Sequence, residues 1–279
     1  MLTMQNQQDL PMLDTYSGAT RVLYIVGDPI AQVKSPSGVT RSLRALGADA
    51  IVVPAHVAPQ HLADFVATCQ RMRNCDGIIV TVPHKFDAAR LCATVAPRAA
   101  SIGAVNVMRR DAQGQWFGDM CDGEGYVAGL RQAGCDPKGR KALLVGAGGA
   151  GSAIAHALVD AGVAALDLHE ADVPRREALA AELRAYGAVA PGVGSSDPSG
   201  YDLVINATLM GMRPEDPLPV QVGKLAPGTF VGDVVTKPAV PPLIEAARAR
   251  GLATMTGTGM FEAVCERMVA FYLDVLGTR

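Results

Sequence analysis

Residues 141–160 have the sequence KALLVGAGGAGSAIAHALVD. An apolar strand pattern at 141–145 is followed by a segment rich in glycine, 146–151, and then by a helical pattern that begins at Ser152. Glycines at such a junction permit a tight turn and let backbone amides approach a pyrophosphate at the positive end of a helix. By itself the pattern is weak evidence, because a glycine-rich turn can join a strand to a helix without binding anything.

The residues that follow strengthen the case for a dinucleotide. A second apolar run, 166–168, precedes Glu170, which stands about 20 residues beyond the last glycine, as the dinucleotide fingerprint expects. We predict that these residues bind the cofactor: Gly146, Gly148, Gly149, Ala150, Gly151 and Glu170. A carboxylate at position 170 would accept hydrogen bonds from the ribose hydroxyls and repel a 2′-phosphate, which favours NAD over NADP. Two alternatives stay open: Glu170 as an exposed charge at a strand end, and Arg175 or Arg176 as a phosphate ligand.

Short apolar runs alternate with helical patterns along the rest of the chain. They lie at 22–26, 51–53, 78–82, 143–145, 166–168, 203–205 and 230–235. Strands separated by helices predict an α/β fold with largely parallel sheets. Segments 104–109 and 115–119 flank turn-prone residues and predict an antiparallel hairpin that closes the edge of the first sheet. One-face apolar spacing over 261–276 predicts a final helix.

Composition limits the classes of partner. The chain has 279 residues, of which 49 % are hydrophobic, and this length fits two compact units. We place the change between them near 123–125, after the hairpin and before the strand-helix series that opens at Lys141. Only 19 % of residues are charged, and 25 basic residues nearly balance 27 acidic ones, which argues against a nucleic acid or an acidic membrane surface as partner.

The cysteines and the N-terminus add two further expectations. The six cysteines are scattered and form no C-x-x-C pair, and no histidine stands at metal-ligand spacing from them. We therefore expect no metal site and no disulfide framework. Residues 1–20 lack the features of a secretory signal, and no run approaches the ~20 apolar residues of a membrane span. We therefore expect a cytoplasmic protein that does not enter the membrane.

Four segments of the first half place polar residues at the ends of apolar runs. They are 27–36, 80–85, 103–106 and 118–123. The ends of parallel strands converge on one edge of a sheet, where ligands bind. Together with 146–151 and 206–208, these motifs resemble the shikimate dehydrogenase family, including its quinate/shikimate branches. The resemblance extends from Tyr24 to the C-terminal helix, and the motifs occur in the family's order.

The resemblance implies a fold and a reaction. It implies an N-terminal α/β substrate-binding domain (1–124, completed by the C-terminal helix at about 258–279), a Rossmann NAD(P)-binding domain (125–257), and a cleft between them. The implied enzyme is an oxidoreductase that transfers a hydride reversibly between nicotinamide and a secondary alcohol of a cyclic hydroxy acid such as shikimate or quinate. We expect NAD as the preferred cofactor, a small-molecule substrate, and a homodimer as the candidate assembly.

The family's catalytic lysine and aspartate correspond to Lys85 and Asp122. Oxidising a secondary alcohol requires removal of its hydroxyl proton as the hydride leaves, so the resemblance makes Lys85 the acid/base and Asp122 the group that orients it. In isolation, Lys85 would be a solvated lysine after a turn, and Asp122 a cap. The resemblance further assigns substrate binding to Ser35, Thr81 and Asn106, and cofactor binding to Asn206, Thr208, Val234 and Gly257. For Asn206 and Thr208, turn capping is the alternative.

Several positions depart from the family's pattern. They are Val33, Val107, Met120, Cys121, Thr236 and Val264. Most have lost a hydrogen-bonding side chain, and an unpaired substrate group costs about 1 to 3 kcal/mol. We therefore expect an altered substrate choice, with shikimate itself a poor substrate. In NADP-using members an arginine follows the second strand, where this chain has Glu170, which is a second argument for NAD.

Two other functions remain as alternatives. A non-catalytic dinucleotide or metabolite sensor would explain the changed pocket, but the retained Lys85 and Asp122 oppose it. A folate-linked dehydrogenase with a similar two-domain layout fits the first-half motifs less well.

Overall fold

A computed structural model describes residues 16–187 and 189–277 of the chain. The expectation of no secretory signal rests on residues 1–20, and most of these lie outside the described residues. The described chain forms two compact units. The N-terminal unit runs up to Asp119 and resumes at Cys265, and the central unit is Met120–Val264. The predicted domain changes, at 124–125 and about 258, fall near these divisions.

The N-terminal unit is built on a mixed sheet. Its described strands are β1 (Arg21–Gly27), β2 (Ala50–His56), β3 (Cys75–Val80), β4 (Thr94–Val95), β5 (Val107–Arg110) and β6 (Trp116–Asp119). They lie in the order β2-β1-β3-β5-β6-β4. Strand β1 is parallel to β2 and β3, whereas β5 and β6 form the predicted antiparallel hairpin.

The prediction that this hairpin closes the edge of the sheet is wrong. Strand β4 pairs in parallel with β6 and takes the edge position instead. With only two residues, Thr94 and Val95, this strand carries no periodic pattern, so the sequence alone does not reveal it.

Four helices of the N-terminal unit connect its strands. They are α1 (Ser35–Ala45), α2 (Leu62–Arg71), α3 (Lys85–Arg90) and α4 (Pro97–Ile102), and a short 3₁₀ turn, Pro59–His61, precedes α2. Val39 and Leu43 of α1 are fully buried, one helical turn apart. Every residue of β3 is buried. Because successive side chains of a strand point to opposite faces, both faces of β3 must be covered.

The central unit contains a second sheet, in which all pairs are parallel. Its helices are α5 (Asp122–Gln132), α6 (Gly149–Asp160), α7 (Val173–Tyr186), α8 (Pro242–Ala249) and the start of α9 (Gly257–Leu276). Its strands are β7 (Lys141–Val145), β8 (Ala165–His169), β9 (Gly192–Val193), β10 (Leu203–Asn206), β11 (Phe230–Asp233) and β12 (Thr254–Met255), and a 3₁₀ turn spans Val222–Lys224.

The strand order of this sheet is β12-β11-β10-β7-β8-β9. The chain winds outward from β7 through β8 and β9, and then returns to wind outward the other way from β10. This is the order of a Rossmann fold, and the reversal between β7 and β10 creates the crevice in which such folds bind dinucleotides. The predicted fold class, an α/β substrate-binding domain followed by a Rossmann domain, is confirmed.

Helix α9 begins at Gly257, four residues before the predicted start at 261, and its later part belongs to the N-terminal unit. There a Cβ at Gly77 would lie 2.3 Å from the Tyr272 ring, so the helix packs directly on the backbone of β3. Arg109 of β5 also forms an ion pair with Asp274, at 3.2 Å. Within the described residues, none of the helices has both the length and the apolar character that crossing a bilayer requires.

Candidate active site

Thr81 and Asn106 lie at one edge of the N-terminal sheet, where the carboxyl ends of β1 and β3 meet the start of β5. The Thr81 amide donates to the Val26 carbonyl over 2.9 Å, and the Val80 amide donates to the Asn106 carbonyl over 2.8 Å. Asn106 is buried and Thr81 is half-buried. The structure thus brings two of the predicted substrate residues to the same edge, which we call the substrate edge.

Lys85, the first residue of α3, is fixed at the substrate edge through its backbone. The Val105 amide donates to the Lys85 carbonyl over 3.0 Å, which ties the start of α3 to the segment that precedes β5. The preceding His84 is buried, and its Nε2 lies 2.7 Å from the Val57 carbonyl oxygen. His84 was not predicted, because a histidine beside Lys85 in the sequence gives no sign that its ring points into the protein.

Ser35 is the first residue of α1, and its side chain is buried. The loop that leads to it leaves β1 at the substrate edge, where the Asp28 amide donates to the Val82 carbonyl over 3.0 Å. Pro36 follows at the first turn, a position that suits the fixed φ of proline.

Asp119 ends β6 at the substrate edge and carries the chain toward Asp122. The Asn106 amide donates to the Asp119 carbonyl over 3.0 Å, and Arg98 of α4 donates from Nε to the Asp119 carboxylate over 2.8 Å. Asp122, three residues later, is buried and begins α5. Lys85 belongs to the N-terminal unit and Asp122 to the central unit, so their action as a catalytic pair stays a prediction.

The glycine-rich segment of the central unit forms the predicted turn between β7 and α6. Gly146 has a φ of 103°, and a Cβ at Gly151 would lie 2.2 Å from the Gly146 carbonyl oxygen, so both positions require glycine. Helix α6 begins with Gly149 and Ala150, after Gly148 at the N-cap, and no side chain within the described residues caps it. Free amides at the start of a helix fit a pyrophosphate group.

Glu170 lies beside this turn, as predicted. Its Oε2 accepts a hydrogen bond from the Ala147 amide at 2.9 Å, and its Oε1 accepts one from the Asp172 amide at 3.0 Å. Arg175 reaches within 3.8 Å of the same carboxylate. Burial, opposed by the nearby Glu170 charge, lowers the pKa of the preceding His169.

Asn206 and Thr208 lie at the same edge of the central sheet, but they bond to each other. The Asn206 Oδ1 accepts from the Thr208 amide at 3.1 Å and from its hydroxyl at 2.6 Å. The Asn206 Nδ2 donates to the Met210 carbonyl over 3.1 Å. A Cβ at Gly146 would lie 2.8 Å from the Thr208 Cγ2, so the turn after β10 sits against the glycine-rich turn. The hydrogen bonds match the turn-capping alternative.

Asp233 is a further polar residue of this edge, and sequence reasoning missed it. Both of its carboxylate oxygens lie 3.2 Å from the Asn206 Nδ2, and one accepts from the Val235 amide at 2.8 Å. Burial raises the pKa of this carboxyl to about 7, against the opposing effect of its hydrogen bonds. A Cβ at Gly257 would lie 2.5 Å from the Val234 carbonyl oxygen, so these two predicted cofactor residues are adjacent.

The residues that depart from the family's pattern are mostly enclosed. Four of them are less than 4 % exposed: Val107, Met120, Cys121 and Val264. Val264 packs against α5, where a Cβ at Gly125 would lie 2.3 Å from its Cγ2. Val33 and Thr236 are half-buried.

Comparison with known proteins identifies the family. The profile of the shikimate dehydrogenase substrate binding domain matches residues 25–108. A shikimate dehydrogenase (NADP(+)) of Acidiphilium cryptum is 39 % identical over 246 residues, which cover 88 % of this chain and 87 % of the relative.

Solved structures agree with this match. A shikimate 5-dehydrogenase from Listeria monocytogenes, in complex with shikimate and NAD, has a TM-score of 0.82 at 26 % identity and 93 % coverage of both chains. A ligand-free 5-ketofructose reductase of Gluconobacter sp. strain CHM43 has a TM-score of 0.80 at 29 % identity, covering 91 % of this chain and 93 % of that one. The chain therefore belongs to the shikimate dehydrogenase family and is a nicotinamide-dependent oxidoreductase that acts on a CH–OH group.

Proposed function

We propose that this protein transfers a hydride reversibly between a nicotinamide dinucleotide and a secondary alcohol of a cyclic hydroxy acid, namely shikimate, quinate or a related compound. The observation that carries the proposal is the meeting of Thr81, Lys85 and Asn106 at the substrate edge, tied together by backbone hydrogen bonds. The Acidiphilium relative is named for shikimate, and the Listeria structure contains it.

In the proposed mechanism, the Lys85 Nζ takes the proton of the substrate hydroxyl during oxidation and returns it during reduction. Asp122 orients the lysine and helps to bind the reacting hydroxyl. Ser35, Thr81 and Asn106 hold the remaining polar groups of the substrate. When bound, the nicotinamide supplies the hydride acceptor or donor.

We also propose that NAD is preferred over NADP. The Glu170 carboxylate, 2.9 Å from the amide of Ala147 in the glycine-rich turn, supports this preference, since a negative charge there repels a 2′-phosphate. Two observations oppose it. The Acidiphilium relative is named for NADP(+), and Arg175, within 3.8 Å of Glu170, offers a cation at the same place.

A second candidate substrate is a polyhydroxylated ketone without a carboxylate. The similarity to a 5-ketofructose reductase favours it, as does Val33, which stands where the family's pattern has a serine that donates to the substrate carboxylate. A site with fewer hydrogen-bonding groups leaves the polar groups of shikimate unpaired, which costs about 1 to 3 kcal/mol each.

Absorbance of the reduced nicotinamide tests both substrate proposals. The purified protein would be given shikimate, quinate and their deoxygenated and aminated analogues with NAD or NADP, and 5-ketofructose with NADH or NADPH. We expect turnover of at least one cyclic hydroxy acid, faster with NAD than with NADP. Turnover of 5-ketofructose alone would favour the second candidate, and no turnover of any compound would contradict both.

Assembly and location are part of the same proposal. We propose a homodimer that works in the cytoplasm on a small-molecule substrate. The balanced charge of the chain, 25 basic and 27 acidic residues, supports a small molecule over a nucleic acid as its partner. Light scattering during size-exclusion chromatography tests the dimer, and a mass near 29.0 kDa, that of one chain, would contradict it.

A further inference from the structure

Asp233 is a carboxylate buried among neutral partners. It ends β11, opposite Asn206, which ends the neighbouring β10. The side chain is 0 % exposed, and its hydrogen bonds in the described structure come from the Asn206 amide group and the Val235 backbone amide. A buried carboxylate without a cation is costly, so it requires a geometric reason to be there.

The Asn206–Asp233 pair joins two segments of the chain. On one side, Asn206 shapes the turn 207–210 through the Thr208 hydroxyl and the Met210 carbonyl. That turn lies against Gly146 of the glycine-rich segment. On the other side, Asp233 holds the Val235 amide, and the carbonyls of 234–235 lie against Gly257. One amide–carboxylate contact therefore sets the positions of both segments.

We propose that Asp233 is a positioning residue for the dinucleotide, which acts through Asn206 and Val235 by fixing the segments 207–210 and 234–235. The inference rests on the proposed use of this edge of the central sheet for the cofactor. It assigns a role to a residue that would touch neither substrate nor cofactor.

The hydrogen bonds around Asp233 favour its ionised form, whereas burial disfavours the charge. The carboxylate accepts hydrogen bonds from the Asn206 Nδ2 and the Val235 amide, and Asn206 cannot turn its amide over because its Oδ1 is held by Thr208. A proton on Asp233 would meet a donor instead of an acceptor. In the described structure, the Asp233 charge acts on one further titratable group, Tyr126 of α5, whose hydroxyl lies against Gly232. We therefore expect dinucleotide binding to weaken as the pH falls below 7.

Exchanging the two side chains tests the proposal. Asp233→Asn places two amide groups face to face, and Asn206→Asp places two carboxylates face to face. The double variant Asn206→Asp/Asp233→Asn restores one donor opposite one acceptor. Leu243→Ala, which truncates a buried side chain of α8, serves as the control for a loss of stability alone.

Four quantities are measured for each variant. They are the Kd for NADH, from its fluorescence at pH 6 to 8.5, the kcat, the KM for NAD, and the thermal midpoint. We expect each single variant to raise the Kd and KM at least about tenfold, with a smaller effect on kcat, and the double variant to recover a large part of the loss. Leu243→Ala should lower the thermal midpoint and leave the Kd unchanged.

Three results would overturn the proposal. One is a wild-type Kd for Asp233→Asn across this pH range, and another is a double variant that binds no better than the weaker single variant. The third is an equal rise of the Kd for NADH in Leu243→Ala and Asp233→Asn when the two variants have the same thermal midpoint, because the effect would then be a loss of stability alone. A wild-type protein that binds neither NADH nor NADPH would instead show that the proposed function has failed.

Discussion

The guanidinium of Arg98 holds the carboxylate of Asp119 with two hydrogen bonds, and Asp119 is the last residue before the segment that leads to Asp122. The Asp119 side chain is only 9 % exposed, so these two bonds lie largely shielded from water. The Asp119 carbonyl in turn accepts from the Asn106 amide. Arg98 therefore supports one predicted substrate residue and the approach to the predicted catalytic aspartate.

Replacing Arg98 tests this support. We expect Arg98→Met to lower kcat/KM about tenfold or more, because the loss of two charged hydrogen bonds to a nearly buried carboxylate costs roughly 1 to 3 kcal/mol and displaces the end of β6. Arg90→Met is the matched control, since Arg90 pairs with Asp87 on an exposed face of α3. Steady-state kinetics decide the matter, and equal kcat/KM values for the two variants would remove Arg98 from the site.

Lys85 is the residue on which the proposed chemistry depends. We expect Lys85→Met to keep the Kd for NADH and to reduce kcat by at least about 10²-fold, the usual contribution of a general acid or base. The exposed Lys138 provides the control, and Lys138→Met should match the wild type. If turnover by Lys85→Met stayed within a few-fold of the wild type, another group would have to move the proton.

Coenzyme choice depends on Glu170 and its neighbour Arg175. We expect wild-type kcat/KM to be higher with NADH than with NADPH, and Glu170→Arg to narrow or reverse the ratio, because the change replaces a repelling charge by an attracting one. Glu177→Gln, on the exposed side of α7, should leave the ratio unchanged. A wild-type preference for NADPH would show that Arg175 outweighs Glu170.

Strong local patterns made most of the fold predictable. The apolar runs indicated the longer strands, and the glycine-rich segment indicated the turn between β7 and α6, with Glu170 beside it. The sequence missed β4, β9 and β12, which have two residues each and so carry no periodicity. Such short strands form because neighbouring strands offer free hydrogen-bonding groups, which only the folded chain brings within reach.

The residues that support the site were less predictable than those in its motifs. Arg98 lies 21 residues from Asp119, and Asp233 lies 27 from Asn206, so no local pattern links them. For Asn206 and Thr208, the sequence pattern left two roles open, cofactor binding and turn capping. Capped turns and ligand contacts need the same polar side chains, and only the hydrogen bonds of the folded chain favour one role over the other.

Two glycines of the glycine-rich turn allow an effect on stability to be distinguished from an effect on cofactor binding. A Cβ at Gly148 meets nothing within 4 Å, whereas one at Gly151 would lie 2.2 Å from the Gly146 carbonyl oxygen. We expect Gly151→Ala to lower the thermal midpoint clearly. Gly148→Ala should keep the midpoint but raise the Kd for NADH, because the added methyl would stand where a pyrophosphate approaches the backbone. Scanning calorimetry gives the thermal midpoint of each variant, and titration calorimetry gives its Kd for NADH. An unchanged Kd in Gly148→Ala would place the pyrophosphate elsewhere.

The raised pKa of Asp233 predicts how stability changes with pH. The ordinary pKa of the group is 3.8, and burial raises it to about 7 in the folded protein. Between about pH 4 and pH 7 the folded protein therefore keeps a proton that the unfolded chain releases, so the free energy of unfolding falls as the pH rises. Asp233→Asn has no such proton. We therefore expect the free energy of unfolding of the wild type, measured with urea, to fall relative to that of Asp233→Asn between pH 4 and pH 7. Above pH 7 the difference should be constant. A constant difference between pH 4 and 7 would mean that Asp233 titrates as an exposed carboxyl does.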